Sequence, residues 1–118
     1  MKFLVLMAEE DHYARWDAMD DAARDEIFRC FDDFAVAVAE RGSMLGGDAL
    51  GSPEDGRTVR PGSDDRPVTA GPFTESVEQL GGFFLIDVPD LETAVDLARQ
   101  LPATFTVEVR PIIDVESG

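Results

Sequence analysis

Apolar residues fill every position but one of the opening run "KFLVLM", Lys2–Met7. A run this dense reads as a strand with both faces covered. The polar stretch "AEEDHYARWDAMDD" follows, and then the period changes. Ile27, Phe31, Phe34 and Val38 recur at helical spacing, with Cys30 and Ala35 beside the stripe. That pattern predicts one long helix over about Asp20–Arg41. Asp17 or Asp20 can cap its start, acids crowd its first turn, and Gly42 stands where a left-handed C′ residue belongs.

A second strand is predicted over Met44–Leu50. In the Gly-, Pro- and Asp-rich stretch after it, "RTVR" and "RPVT" flank "PGSDD" and read as a small exposed hairpin. Gly82–Val88 is a strong apolar strand, and the Gly81-Gly82 pair before it predicts a tight turn or bulge. Pro89-Asp90 stops that strand. Asp90 caps a second helix bearing Leu91, Ala94, Val95, Ala98 and Leu101 on one side, and Pro102 ends it. The last strand, Phe105–Ile112, alternates, with Thr106, Glu108 and Arg110 on one face and Phe105, Val107 and Val109 on the other.

The order β-α-β-(hairpin)-β-α-β predicts an α+β, ferredoxin-like fold: an antiparallel sheet with two helices on one face. The first and third main strands belong in its middle, and the last at an edge. The chain reads as a single domain over 1–118, with its core over about 1–112 and a short tail over 113–118. Both central strands are apolar on the helix-free face too, and a patch of that kind calls for a partner. A second copy meeting it sheet to sheet, in a two-fold homodimer, is the economical solution.

Composition narrows the function. The formal charge of −15 repels phosphates and anionic lipids, so neither nucleic acid nor membrane is expected as a partner. No apolar run is long enough for a membrane helix, the opening run is too short for a signal peptide, and the expected location is cytoplasmic. The single cysteine, Cys30, excludes an internal disulfide and reads as a buried thiol. No His or Cys cluster suggests a metal site, and no cofactor motif is present.

The stretch "GPFTESVEQLGGFFLIDVPDLETAVDLARQLP", followed by "VEVRPI", resembles the DGPF-domain branch of the YCII-related family. The opening "MKFLVLM" and "GGDAL" resemble it as well, so the likeness runs from Met1 to about Ile112. It implies a dimeric α+β barrel. The wider superfamily includes small isomerases, cyclases and cofactor-free monooxygenases that use a cavity between sheet and loops. Some relatives are linked to extracytoplasmic-function sigma factors, and a His–Asp pair has been proposed as an active site on the YCII side. The family motif carries Asp before Gly-Pro-Phe; this chain has Ala70 there.

Few residues remain to carry chemistry. His12, the sole histidine, is the one side chain whose unperturbed pKa lies near neutrality, and Glu9, Glu10 or Asp11 could orient it as a base or acid. Glu75 and Glu78 follow the Gly-Pro-Phe turn. Glu75 is expected either to act as a base or to pin the loop by accepting backbone N–H groups. Arg110 could hold an anionic group beside Glu108, or the two could form a structural ion pair. Arg57 and Arg60 are further cationic candidates. Tyr13 and Trp16 either line a cavity mouth or pack on the long helix. These residues predict small-molecule binding at the sheet face of a dimer, with acid/base chemistry by Glu75 and His12. A non-catalytic interaction module stands as the alternative.

Overall fold

A computed structural model describes residues 1–115. The elements are β1 (Lys2–Glu10), α1 (His12–Ala18), α2 (Asp21–Arg41), β2 (Ser43–Ala49), β3 (Arg57–Val59), β4 (Val68–Ala70), β5 (Glu78–Asp87), α3 (Leu91–Ala98) and β6 (Thr106–Pro111). The main sheet has the order β2-β5-β1-β6 with every neighbour antiparallel. The apolar first strand and "FFLID" therefore lie in the middle, and the alternating last strand lies at an edge, as expected. The fold is the α+β, ferredoxin-like one.

Alternation along β1 sorts its side chains. Phe3, Val5, Met7 and Glu9 are buried on one face, while Leu4, Leu6 and Ala8 are half-buried on the other. Phe3 and Val5 meet Ile86 and Phe84 across the β1–β5 ladder. Phe34 and Val38 of α2 and Ala94 and Leu97 of α3 close over that face and complete the core. Each fully buried side chain of this size contributes roughly 1.5–3 kcal/mol. Among the described residues, the opposite face carries no helix. In register across it lie Leu85, Leu4 and Arg110 in one row, and Phe83, Leu6 and Glu108 in the next.

The long helix starts as its cap predicts: the Asp20 carboxylate accepts the Ala23 N–H at 2.8 Å. Asp90 caps α3 likewise, accepting from the Thr93 N–H and hydroxyl, and those bonds hold its carboxyl below the usual range. Four expectations need correction. The polar stretch after β1 contains a third helix, α1, seven residues long and too short to show an apolar period. Gly42 is not left-handed; its φ is 173°, which is extended. Glycine is required there by space instead, since a Cβ would sit 2.0 Å from the Asp87 carbonyl oxygen. β5 begins at Glu78, so "EQLG" is strand and not loop. α3 ends at Ala98, before Pro102.

The expected hairpin is the β3–β4 pair, with Arg57 opposite Ala70 and Val59 opposite Val68. β6 is followed by a bond from the Ile112 N–H to the Lys2 carbonyl. Of the tail expected over 113–118, residues 116–118 lie outside the described residues.

The Gly42 contact yields a stability prediction. Gly42→Ala should cost about 1–3 kcal/mol or more, because the backbone of β5 must move to admit the methyl group. Gly51→Ala, whose new Cβ would meet only the Asp55 carboxylate at 3.9 Å, should stay within about 1 kcal/mol of wild type. Urea unfolding followed by circular dichroism separates the two. Equal stability of both variants would refute the crowding at Gly42.

Candidate functional site

The β1–β5 ladder slips by one residue. Met7 pairs with Gly82 and Ala8 with Leu80, which leaves Gly81 without a partner. Such a bulge bends the strand and re-aims what lies beside it. Beyond the slip β1 runs on to Glu10 and turns at Asp11, whose φ is 51°. An aspartate tolerates that left-handed conformation better than most residues. The turn starts α1 directly, so His12 comes back over the face that Glu9 occupies.

The two side chains meet there. His12 Nδ1 lies 3.1 Å from Glu9 Oε1, with the carboxylate 4% exposed and the imidazole 14% exposed. An ionised carboxylate only accepts, so Nδ1 carries the hydrogen and Nε2 of the neutral ring holds the lone pair. The ring packs edge-on to Tyr13 at 4.8 Å between centroids and tilted to Phe105 at 5.5 Å. The ring lies against the bulge: a Cβ at Gly81 would fall 2.5 Å from Nε2 and 2.6 Å from Cδ2. Glycine here makes the room that the histidine uses.

Tyr13 fastens α1 to the sheet. Its hydroxyl lies 2.9 Å from the Leu50 carbonyl and 2.6 Å from that of Gly51, and its own N–H donates to Gln79 Oε1 at 3.3 Å. Burial pushes the phenol above its ordinary pKa. Trp16 sits edge-on to Phe28 and carries the Arg24 guanidinium over its ring at 5.1 Å, while Arg24 also donates to the Trp16 carbonyl.

Between α1, α2 and the β2–β5 end of the sheet lies a cavity of about 490 Å³. Its walls are mainly apolar, with Trp16, Phe28, Phe31, Phe84 and Phe105 among them, and His12 and Gly81 at one side. This hollow is on the helix-covered face. The sequence predicts a cavity on the open sheet face instead, the face that carries Arg110.

The other candidates fall elsewhere. Glu75 and Glu78 are exposed and line a separate hollow of about 920 Å³, together with Arg57, between the 50–58 and 71–80 segments. Glu78 accepts from the Thr106 hydroxyl at 2.7 Å. Arg57 donates to the carbonyls of Glu54 and Gly56, and Arg60 to the Phe73 carbonyl. Arg110 lines neither hollow and pairs with Glu108 on its own strand face. A single chain therefore does not bring Glu75, His12 and Arg110 into one pocket. Of the three carboxylates considered beside His12, the one that reaches it is Glu9. Glu9 continues the alternation of Phe3, Val5 and Met7, and that periodicity was the available sign that it faces inward. Trp16 is among the residues expected at a cavity mouth or on the long helix, whereas the phenylalanine walls were missed because they come from α2, β5 and the turn before β6.

Cys30 is half-buried and donates to the Gln100 carbonyl at 2.9 Å. Burial and the nearby Asp33 and Glu26 push its thiol up, which opposes use as a nucleophile. Among the described residues no cluster of three or more His, Cys, Asp or Glu side chains could hold a metal ion, and no helix is long and apolar enough to cross a membrane.

Comparison with known proteins adds a family. The model of the YCII-related domain matches residues 1–116. An uncharacterized protein of Rhizobium meliloti (strain 1021), R00369, is 46% identical over 65 residues. That match spans 52% of this chain and 52% of the Rhizobium protein.

Tyr13 is the sole tyrosine, so its titration can be read directly by phenolate absorbance. The midpoint should lie above the ordinary value of about 10. The unfolded chain then loses this proton first. The stability that the neutral phenol contributes is thus complete below the ordinary value and declines as pH climbs from there through the folded one. A midpoint at or below the ordinary value would contradict the buried, carbonyl-bonded phenol.

Proposed function

The chain belongs to the YCII-related family, and on that premise we propose that it binds a small molecule in the cavity beside His12 and moves a proton there without a cofactor. The observation that carries this reading is the buried Glu9 carboxylate on Nδ1 of the sole histidine, at the wall of an apolar hollow. A histidine oriented through one nitrogen presents the other as a base, and the carboxylate stabilises the imidazolium once it has taken a proton. In the step proposed, Nε2 removes a proton from a carbon next to a carbonyl of the bound molecule. The electron pair passes to the carbonyl oxygen, and the imidazolium returns the proton to the same or a conjugated carbon. Nothing is oxidised or reduced.

We assign the open sheet face to assembly. Leu4, Leu6, Phe83 and Leu85 form its centre, with the Glu108–Arg110 pair at the β6 edge. Two copies joined through this face would cover the apolar rows and leave each helix-side cavity open. One cysteine and an acidic surface are in keeping with a cytoplasmic protein.

Proton exchange tests the site. With 2-tetralone as a neutral carbon acid in deuterated buffer, the wild type should speed exchange of its activated protons over an equal concentration of free imidazole. His12→Gln should lose on the order of 10²–10⁴-fold of that rate. Glu9→Gln, which keeps the bond but not the charge, should lose a smaller part. Exchange no faster than with free imidazole, or undiminished in His12→Gln, would sink the catalytic reading. Sedimentation velocity tests the assembly. The wild type should run as a dimer of the 12.9 kDa chain at micromolar concentration, and Leu6→Asp as a monomer. A monomeric wild type would refute it.

A further inference from the structure

The geometry points to the class of molecule this cavity selects, an inference that rests on the cavity reading above. We infer that the ligand is an electrically neutral, flat ring system carrying one hydroxyl or carbonyl group. The first ground is the wall. Phe31 and Phe84 meet edge to face at 5.9 Å, Phe31 stacks with Phe105 at 6.4 Å, and Phe84 is tilted to Phe34 at 4.9 Å. Rings held by one another in this way leave a slot that matches the flat face or edge of another ring.

The second ground is charge. No lysine or arginine lines the cavity, so a carboxylate or phosphate would enter without a counter-ion. The Arg24 guanidinium beside Trp16 is spent on that residue. The net charge of −15 further disfavours anions. A cation meets the reverse problem. Asp48 lines the cavity, but it pairs with Phe83 in the β2–β5 register, and Phe83 pairs with Leu6 of the helix-free face. That register sends the Asp48 carboxylate to the opposite side of the sheet. The Glu9 carboxylate is already engaged by His12.

The third ground is the polar inventory. Tyr13 turns its hydroxyl onto the Leu50 and Gly51 carbonyls. Nε2 of His12, which accepts, and the indole N–H of Trp16, which donates, are then the side-chain atoms left to meet a ligand; a hydroxyl can use either and a carbonyl only the second. A volume of about 490 Å³ falls within the ~300–1,000 Å³ typical of small-molecule sites and suits one or two fused rings.

The single histidine also supplies the readout, because its ring protons give one isolated set of NMR signals. The full chain at neutral pH is titrated with three probes of the same skeleton: 2-naphthol, 2-naphthoate and (2-naphthyl)trimethylammonium. The neutral probe should bind at least roughly tenfold tighter than either ion. It should also shift the His12 ring signals, and Ile27→Trp, which fills the cavity wall, should weaken it. The proposal is overturned if either ion binds as tightly as 2-naphthol. It is equally overturned if 2-naphthol leaves the His12 signals unmoved. Failure here is separable from failure of proton transfer. Selective 2-naphthol binding with no enhanced 2-tetralone exchange would leave a binding site and remove the catalyst. His12-dependent exchange with an ion preferred would keep the catalyst and remove the selectivity.

Discussion

One slipped pair in the β1–β5 ladder arranges most of what surrounds it. Opposite residues of an antiparallel pair share a face, so a shift of one residue exchanges the faces of everything beyond it. In a regular ladder Glu9 would stand opposite Leu80, and Leu80 would crowd the ground under α1. The bulge at Gly81 sends Leu80 to the helix-free face opposite Ala8, and brings Gln79 beneath α1, opposite Glu9. There the Gln79 side chain accepts the Tyr13 N–H. The bulged residue is itself engaged, since its carbonyl accepts the Leu50 N–H at 2.9 Å. Leu50 in turn receives the Tyr13 hydroxyl. Gly81 thus ties β2, β5 and α1 together at the point where it makes room for the imidazole.

The same alternation divides the sheet into surfaces with different physics. On the helix side β1 presents three buried apolar residues and then a carboxylate, and the carboxylate is tolerable there because His12 answers it. On the other side the apolar rows are half-covered, and the edge strand adds a glutamate and an arginine that satisfy one another. An exposed pair of that kind contributes little to stability. It leaves neither residue available to reach a ligand on the far side of the sheet.

Much of this was legible in the sequence, and the remainder has physical reasons. The strand order, α2 and α3, the Asp20 and Asp90 caps and the hairpin followed from periodicity and capping residues, which are local. α1 was not legible because seven residues lack a period and Asp11 offers no side-chain cap bond. Gly42 looked like a helix terminator when its real constraint is the Asp87 carbonyl on a strand 45 residues away in sequence. The site failed to appear for the same reason. Its imidazole was visible as the lone histidine, but its phenylalanine walls are assembled from α2, β5 and the turn before β6. Glu75 and Arg110 were attractive as residue types; only tertiary packing could show that the 71–80 segment and the helix-free face hold them apart from His12.

Ala70 takes on a different meaning in this light. It stands in β4 where the resembled motif has aspartate, and an acid at that position would have been the natural candidate for proton transfer. Ala70 is exposed on the hairpin arm opposite Arg57. The turn after it is held by other donors. The Thr58 hydroxyl bonds the Gly71 carbonyl at 2.6 Å, and Arg60 bonds the Phe73 carbonyl at 3.0 Å. Gly71, at φ 86°, supplies the left-handed bend, and its N–H reaches the Gly56 carbonyl. A carboxylate is therefore not needed to form the turn. Its loss also leaves the Glu9–His12 pair untouched, since Ala70 is not among the residues that wall that cavity. The carboxylate and imidazole that this chain brings within bonding distance come instead from the end of β1 and the start of α1.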